Sequence, residues 1–451
     1  MIPLSLAAIA QAVGGVVHGD GDVVVTGPAT LDSRAVTPGG LFVALAGERV
    51  DGHDFVGAAL QGGAVAVLAS RPVEAPAVVV DDVTDALGRL ARHVLDLLDV
   101  QVVALTGSQG KTSVKDLLAH LLGRVGPTVA TAGNYNNELG VPLTVLRADL
   151  ATRYLVVEMG ARGIGHVARL CRVAPPHVST VLNVGSAHVG EFGSVDNIAI
   201  GKGEIVEGLR PGGTAVLNAD DVRVDAMEPR VPAGCEVVRF GRAAQGPDDV
   251  RIVDVTLDDR GEPDVVLEHG AERWTTHVPL LGVHQASNAA AALALLSGLG
   301  LPVAGTSLED YAPATAQRLE RHERADGVVV LDDSYNANPE SVRAALEALA
   351  GLGAQRRVAV LGEMLELGAD AHARHVEVGR AAAELGTSLV VAVGDGARGI
   401  AEGAGDVGLA VPDVDVALDT LRAWLSPGDA VLVKASRGAR LERVTTRLLE
   451  P

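Results

Sequence analysis

One short stretch restricts the fold of this chain more than any other. Residues 102–105 read Val-Val-Ala-Leu, an apolar run of strand length, and residues 106–112 follow as Thr-Gly-Ser-Gln-Gly-Lys-Thr. A helix is expected from about Lys111. A strand, a glycine-rich turn and a helix, in that order, aim several backbone N–H groups and the positive end of a helix at one anion. In this reading Thr106, Gly107, Ser108, Gln109 and Gly110 wrap a phosphate. Lys111 reaches the β- and γ-phosphates of a nucleotide, and the Thr112 hydroxyl ligates Mg²⁺. The general pattern has a further Gly five positions before its second Gly. Here that place is Leu105, so the loop is a shortened variant. Taken alone, the stretch is also compatible with a tight strand–helix turn that binds nothing.

The rest of the chain repeats the strand–helix rhythm. Its 451 residues suggest about three domains, expected at 1–98, 99–311 and 312–451. In the first, Leu4, Leu6, Ile9 and Val13 read as one face of a short helix, Ala64–Ala69 and Ala77–Val80 as buried strands, and residues 84–98 as a helix. In the second, further strands are expected at Tyr154–Val157, Val178–Val184 and Thr214–Leu217, a helix at Ala286–Ser297, and a small antiparallel insertion at about 235–280. In the third, strands are expected at Val328–Leu331, Val358–Leu361, Leu389–Val393 and Ala430–Val433. Such alternation implies mostly parallel sheets covered by helices. The expected fold class is α/β with a smaller N-terminal α/β domain, a central P-loop ATPase-like parallel sheet and a C-terminal Rossmann-like domain.

Charge and composition narrow the function. The formal net charge of −20 argues against broad nucleic-acid or anionic-membrane binding, which need basic faces. Residues 1–15 lack the basic start of a signal peptide. No apolar run reaches the roughly 18 residues of a membrane span, so no membrane insertion is expected. Two cysteines, Cys171 and Cys235, form no disulfide framework, which favours a reducing cytoplasm. Only four basic residues are lysines: Lys111, Lys115, Lys202 and Lys434. In a chain that otherwise uses Arg, a surviving Lys points to a place where Arg cannot serve.

The phosphate loop has companions. Residues 131–142 read Thr-Ala-Gly-Asn-Tyr-Asn-Asn-Glu-Leu-Gly-Val-Pro, 157–161 Val-Glu-Met-Gly-Ala, 183–188 Asn-Val-Gly-Ser-Ala-His, and 202–205 Lys-Gly-Glu-Ile. Together they resemble the central domain of the Mur ligases, ATP-dependent amide-forming enzymes of peptidoglycan synthesis. Asp32-Ser33-Arg34 and Asp51-Gly52-His53-Asp54-Phe55 resemble that family's UDP-binding domain. The branch that adds a terminal dipeptide is the nearest, on Asn134–Glu138, on Asp332-Asp333-Ser334-Tyr335-Asn336-Ala337-Asn338-Pro339 and on residues 361–368, Leu-Gly-Glu-Met-Leu-Glu-Leu-Gly.

The resemblance implies a reaction and roles for residues. ATP converts the terminal carboxylate of a UDP-MurNAc-tripeptide to an acyl phosphate, and the amine of D-alanyl-D-alanine displaces the phosphate. Lys111, Glu158, His188 and Lys202 are the expected catalytic residues. Thr112, Glu158, His188 and a carbamylated Lys202 would hold Mg²⁺, two ions in all. Arg cannot form that carbamate, which fits the survival of Lys202; Gly201 stands where the family often has Ala. Asn137, His284, Asn288, Arg318, Asp333 and Asn336 are expected at the nucleotide. Gln285 stands where Asn is usual, and Gln317 before Arg318 where Gly is frequent. Ser33 and Arg34 are expected at the UDP-linked substrate, and Lys434 and Arg437, with Ser436, in the C-terminal cleft.

Residues from separate domains that converge on one ATP imply a hinge-closing enzyme, with the hinge near 310–317. A monomer is expected. The rival within the family is the ligase adding the third peptide residue, but its Asp-Asn-Pro-Arg motif is absent from the sequence. A folylpolyglutamate-type ligase is disfavoured by the first domain. A catalytically silent nucleotide-binding homologue has no need to keep Lys111, Thr112, Glu158, His188 and Lys202 together.

Overall fold

The computed structural model describes residues 1–47, 50–313 and 315–450. Among these, three main sheets follow one another along the chain.

The first is five-stranded, in the order Val16–His18, Ala77–Val79, Ala64–Ala69, Gly40–Val43, Ala29–Thr30. Its strands run parallel except for the Val16–His18 edge. Helices Leu6–Val13 and Val83–Asp96 supply Leu6, Ile9, Val13, Leu87, Leu90 and Val94 to the core. Leu4 does not join the helical face expected for it. The Ser5 side chain accepts from the Ala8 N–H, so the helix starts at Leu6, and Leu4 pairs antiparallel with Val25.

The second sheet has nine strands. Its order is Glu272–His277, Pro263–His269, Val250–Leu257, Glu236–Gly241, Thr214–Asn218, Val178–Val181, Gln101–Thr106, Tyr154–Glu158, Thr128–Ala130. The region expected as an antiparallel insertion is instead a continuation of this sheet. Glu236–Gly241 pairs parallel with Thr214–Asn218, and the antiparallel hairpins are added beyond it. The physical reason is a shared cover. Helix Gln285–Gly298, alanine-rich and buried along nearly its whole length, packs in one core with Val216, Phe240, Ile252 and Leu267. Strand Val178–Val181 ends sooner than expected, because Asn183 turns its carbonyl and its side chain to the N–H groups of Ser108 and Gln109.

The third sheet has six strands, in the order Glu320–Glu323, Val329–Asp333, Ala430–Lys434, Arg357–Gly362, Leu389–Val393, Gly408–Val411. Only the first pairing is antiparallel. Apolar clusters lie on both faces, so it is doubly wound. Helix Pro339–Gly351 starts on a reciprocal cap between Asn338 and Ser341 with Pro339 in its first turn. The carboxyl ends of Val329–Asp333 and Ala430–Lys434 carry Asp333 and Lys434 to the boundary with the second sheet, where open α/β sheets place ligands. No helix among the described residues is long and apolar enough to cross a membrane.

Candidate active site

A cleft of about 930 Å³ lies between the second and third units. One wall is the phosphate loop. Gly110 caps helix Lys111–Gly123 in the left-handed conformation, φ 76°. A Cβ there would sit 2.5 Å from Asn288 Oδ1, so only glycine fits. Lys111 donates to the Gly107 carbonyl at 2.7 Å. Burial pushes its ammonium below the ordinary lysine range, and Glu158 opposes that shift.

Behind the loop, the chain assembles acidic and neutral oxygen donors. Glu158 ends its strand fully buried. Its carboxylate accepts from the Thr112 hydroxyl at 3.1 Å and from Asn136 Nδ2 at 2.7 Å, while its N–H donates to Thr131 Oγ1. Lys202 lies on the continuous helix Val195–Glu207, 2% exposed. It makes no hydrogen bond or ion pair with any described residue. Burial first, then the Lys111 charge, drive its amine well below the ordinary range, against the pull of Glu158. Gly201 does not interrupt this helix. A Cβ there would meet the Phe192 ring at 2.7 Å, so glycine lets the ring pack down.

The opposite wall is built from side chains of the C-terminal unit. Arg318 crosses to within 3.3 Å of Thr112 Oγ1 and stacks on Tyr335, 4.1 Å from the ring centre. Arg437 approaches the same ring at 5.2 Å. Arginine over an aromatic face keeps its charge while its geometry is fixed. Asp333 accepts from Lys434 at 2.5 Å and from the Leu319 N–H, and Lys434 also donates to the Asn336 carbonyl. Lys434, expected at the substrate, therefore also bolts two strand ends together; burial lowers its pKa and Asp333 raises it. His284 lines the same region, and burial pushes it down to about 4. Gln285 carries the amide link to Asn288 at 2.8 Å.

The two walls also meet directly. Ser186 N–H donates to Glu340 Oε1 at 2.8 Å, and Gly190 N–H donates to the Glu366 carbonyl at 3.2 Å. His188 Nδ1 lies 2.5 Å from Glu366 Oε2. Burial lowers the His188 pKa and Glu366 opposes it.

The cleft thus gathers Ser108, Gln109, Gly110, Lys111, Thr112, Asn137, Glu158, His188, Lys202, His284, Asn288, Arg318, Asp333, Asn336, Lys434 and Arg437. Thr106 and Gly107 support the loop without lining the space. Asn137 lines it but commits its side-chain oxygen to the Leu139 and Gly140 N–H groups. Ser33 and Arg34 lie elsewhere, on the N-terminal unit, where Arg34 is exposed and paired with Asp32. Asn183, Tyr335 and Glu340 were not expected to work here as they do. For Tyr335 there was a signal, an aromatic residue inside the Asp-Asp-Ser-Tyr-Asn motif; Glu340 offered none, since its partner is 154 residues away.

Family models cover most of the chain. Residues 29–94 match the Mur ligase family catalytic domain, 105–296 the Mur ligase middle domain, and 317–437 the Mur ligase glutamate ligase domain. A UDP-N-acetylmuramoyl-tripeptide–D-alanyl-D-alanine ligase of Mycobacterium tuberculosis is 42% identical, over 100% of this chain and 98% of its own length. The Escherichia coli protein of the same name is 38% identical over 100% and 99%. Among solved structures, MurF from Acinetobacter baumannii superposes with a TM-score of 0.89 at 32% identity, covering 100% of this chain and 99% of its own. MurF from Thermotoga maritima, solved with ADP, gives 0.82 at 33%, covering 94% and 97%. With its fold, its phosphate loop and its full-length relatives in agreement, this chain belongs to the Mur ligase family.

Proposed function

We propose that this enzyme is the ATP-dependent ligase that joins D-alanyl-D-alanine to UDP-MurNAc-tripeptide, giving the UDP-MurNAc-pentapeptide of peptidoglycan synthesis. The observation that carries the chemistry is the single cleft in which Lys111, Glu158, His188 and Lys202 face Arg318 and Arg437. Full-length similarity to ligases of that name supports the substrates.

The reaction needs two anions to meet. The tripeptide carboxylate attacks the γ-phosphorus of ATP; an O–P bond forms and the bond to the β-phosphate oxygen breaks, releasing ADP. The dipeptide amine then attacks the acyl carbon; a C–N bond forms, inorganic phosphate leaves and the amine gives up a proton. Lys111, the loop N–H groups and Arg318 offset the negative charge that builds on the transferred phosphoryl group. Tyr335 holds Arg318 aimed at it.

The residues fit magnesium in part as they stand. Thr112 and Glu158 offer adjacent oxygens, the donors Mg²⁺ prefers; His188 adds a nitrogen. A free amine at Lys202 does not fit, but its carbamate does. A partnerless buried ammonium is strongly disfavoured, and the downward shift of Lys202 favours the neutral amine, the form that reacts with CO₂. We assign Thr112, Glu158, His188 and carbamylated Lys202 to two Mg²⁺ ions, whose charge would lower the repulsion between the carboxylate and ATP. Intact mass and crystal density under CO₂ test the carbamate; free lysine in both would refute it.

The working division is 1–98 for the UDP-linked precursor, through Ser33 and Arg34, 99–311 for ATP and 312–451 for completing the ATP site and taking the dipeptide. The hinge is assigned to 310–317, of which residue 314 lies outside the described residues. A cytoplasmic monomer suits soluble, diffusible substrates. Phosphate release from ATP tests the function, with each substrate omitted in turn. Release that requires both UDP-MurNAc-tripeptide and D-alanyl-D-alanine, with a UDP-linked pentapeptide by mass spectrometry, is expected. Release on UDP-MurNAc-dipeptide and one amino acid would assign it to the third-residue ligase instead, and ATP binding without turnover would make it a silent homologue.

A further inference from the structure

The loop that carries His188 is gripped from both sides by the C-terminal unit. Glu340 holds the Ser186 N–H on one side. On the other, the 363–368 segment presses so close that a Cβ on Gly190 would lie 2.8 Å from the Gly368 nitrogen. That segment is itself pinned: Met364 N–H donates to His375, Leu365 N–H to Ser436 Oγ, and Ser436 N–H to the Glu363 carbonyl. Where it meets the loop, His188 and Glu366 both stand at φ 64°, a conformation that non-glycine residues avoid and that concentrates at functional sites. Two strained residues facing each other, one from each unit, bring Glu366 Oε2 within 2.5 Å of His188 Nδ1, an ion-pair contact that falls short of hydrogen-bond geometry in this conformation. Glu191, from the loop itself, is farther, at 3.7 Å, and Arg162 lies beside both carboxylates.

A histidine with one nitrogen held by a carboxylate is fixed in tautomer and ring orientation, and offers the other nitrogen as the better donor. We propose that Glu366 is a positioning residue of the C-terminal unit: it holds Nδ1 of His188 and so presents Nε2 as the ligating nitrogen, making this ligand depend on docking of that unit. The inference rests on the reading of His188 as a metal ligand. It adds that the ligand is set from across the cleft. An undocked enzyme then carries Lys111, Thr112 and Glu158 in place but a loose histidine, which couples readiness to closure.

The full chain labelled with [¹⁵N]histidine, held with ADP and no metal, gives the first readout. In long-range ¹H–¹⁵N spectra the His188 signal, assigned by its loss in His188→Asn, is expected as the Nδ1–H tautomer. Glu366→Ala should mix the tautomers, whereas Glu191→Ala should leave the wild-type pattern. The second readout is the Mg²⁺ concentration giving half-maximal activity. It should rise about tenfold in Glu366→Ala and return part of the way in Glu366→Asp. An unchanged His188 tautomer in Glu366→Ala overturns the proposal. A magnesium requirement unmoved by His188→Asn overturns the ligand reading itself, and is told apart because the tautomer comparison needs no metal.

Discussion

The two walls of the cleft do related work by different physical means. The phosphate-loop wall is contiguous in sequence, is made largely of backbone, and puts glycine where the backbone turns left-handed, at Gly110. The C-terminal wall is made of side chains reaching across a boundary, and its strained positions are not glycine. Among the described residues, five non-glycine residues have positive φ: His188, Gln317, Leu319, Glu366 and Arg440. Gln317 and Leu319 flank Arg318, and His188 and Glu366 form the seam. A wall built from local backbone forms whenever its strand and helix form. A wall that depends on docking has to hold its strain with contacts from elsewhere.

The contrast can be broken most severely on the first wall. Lys111→Ala should lower kcat by about a thousandfold or more, because it removes charge where it builds up in the transition state, while circular dichroism and melting stay near wild type. If activity survives within tenfold, the loop is not the phosphate site. On the second wall, Arg318→Lys should cost about 10–100-fold, since lysine keeps the charge but loses the planar stack on Tyr335. Steady-state kinetics would show this chiefly in kcat; equal activity would mean that the stack does not aim Arg318.

A stability effect comes next. His284 is pushed down to about 4 by burial, against the ordinary value of 6.5. The unfolded chain therefore binds more protons between those values, and stability rises with pH through that window. Acidifying from pH 6.5 toward 4 should remove on the order of 1–3 kcal/mol at this residue, seen in urea melts as a slope that His284→Gln reduces. The smallest effect sharpens the comparison directly. Gln317→Gly should stabilise by about 0.5 kcal/mol, because relief of left-handed strain slightly exceeds the added freedom of the unfolded chain. Gly110→Ala, at equal φ sign, should destabilise instead. Thermal melts of the two variants shifting in the same direction would contradict the assignment of strain to the second wall.

The same contrast explains what could be read in the sequence. Thr106–Thr112 announced itself because strand, turn and helix are neighbours in the chain, and the alternation that follows was enough for parallel sheets. The edge strand Thr128–Ala130 and the parallel start of Glu236–Gly241 were missed because their pairing is set by what lies beside them and not by their own pattern. Asp333 and Lys434 could be suspected as strand-end residues near a ligand. That they hold each other at 2.5 Å depends on two strands 101 residues apart lying side by side. Pairings such as Glu340 with Ser186 leave no periodic trace at all.

The four lysines have a practical consequence. Lys115, Lys202 and Lys434 are each 3% exposed or less, and Lys111 is half-buried inside the cleft. Among the described residues no lysine is exposed, so the N-terminus aside, the outer face of this protein offers no primary amine to an acylating reagent. Ester-based tags and cross-linkers would pass over the surface, and any adduct they leave on a lysine would mark a molecule caught with its interior ajar.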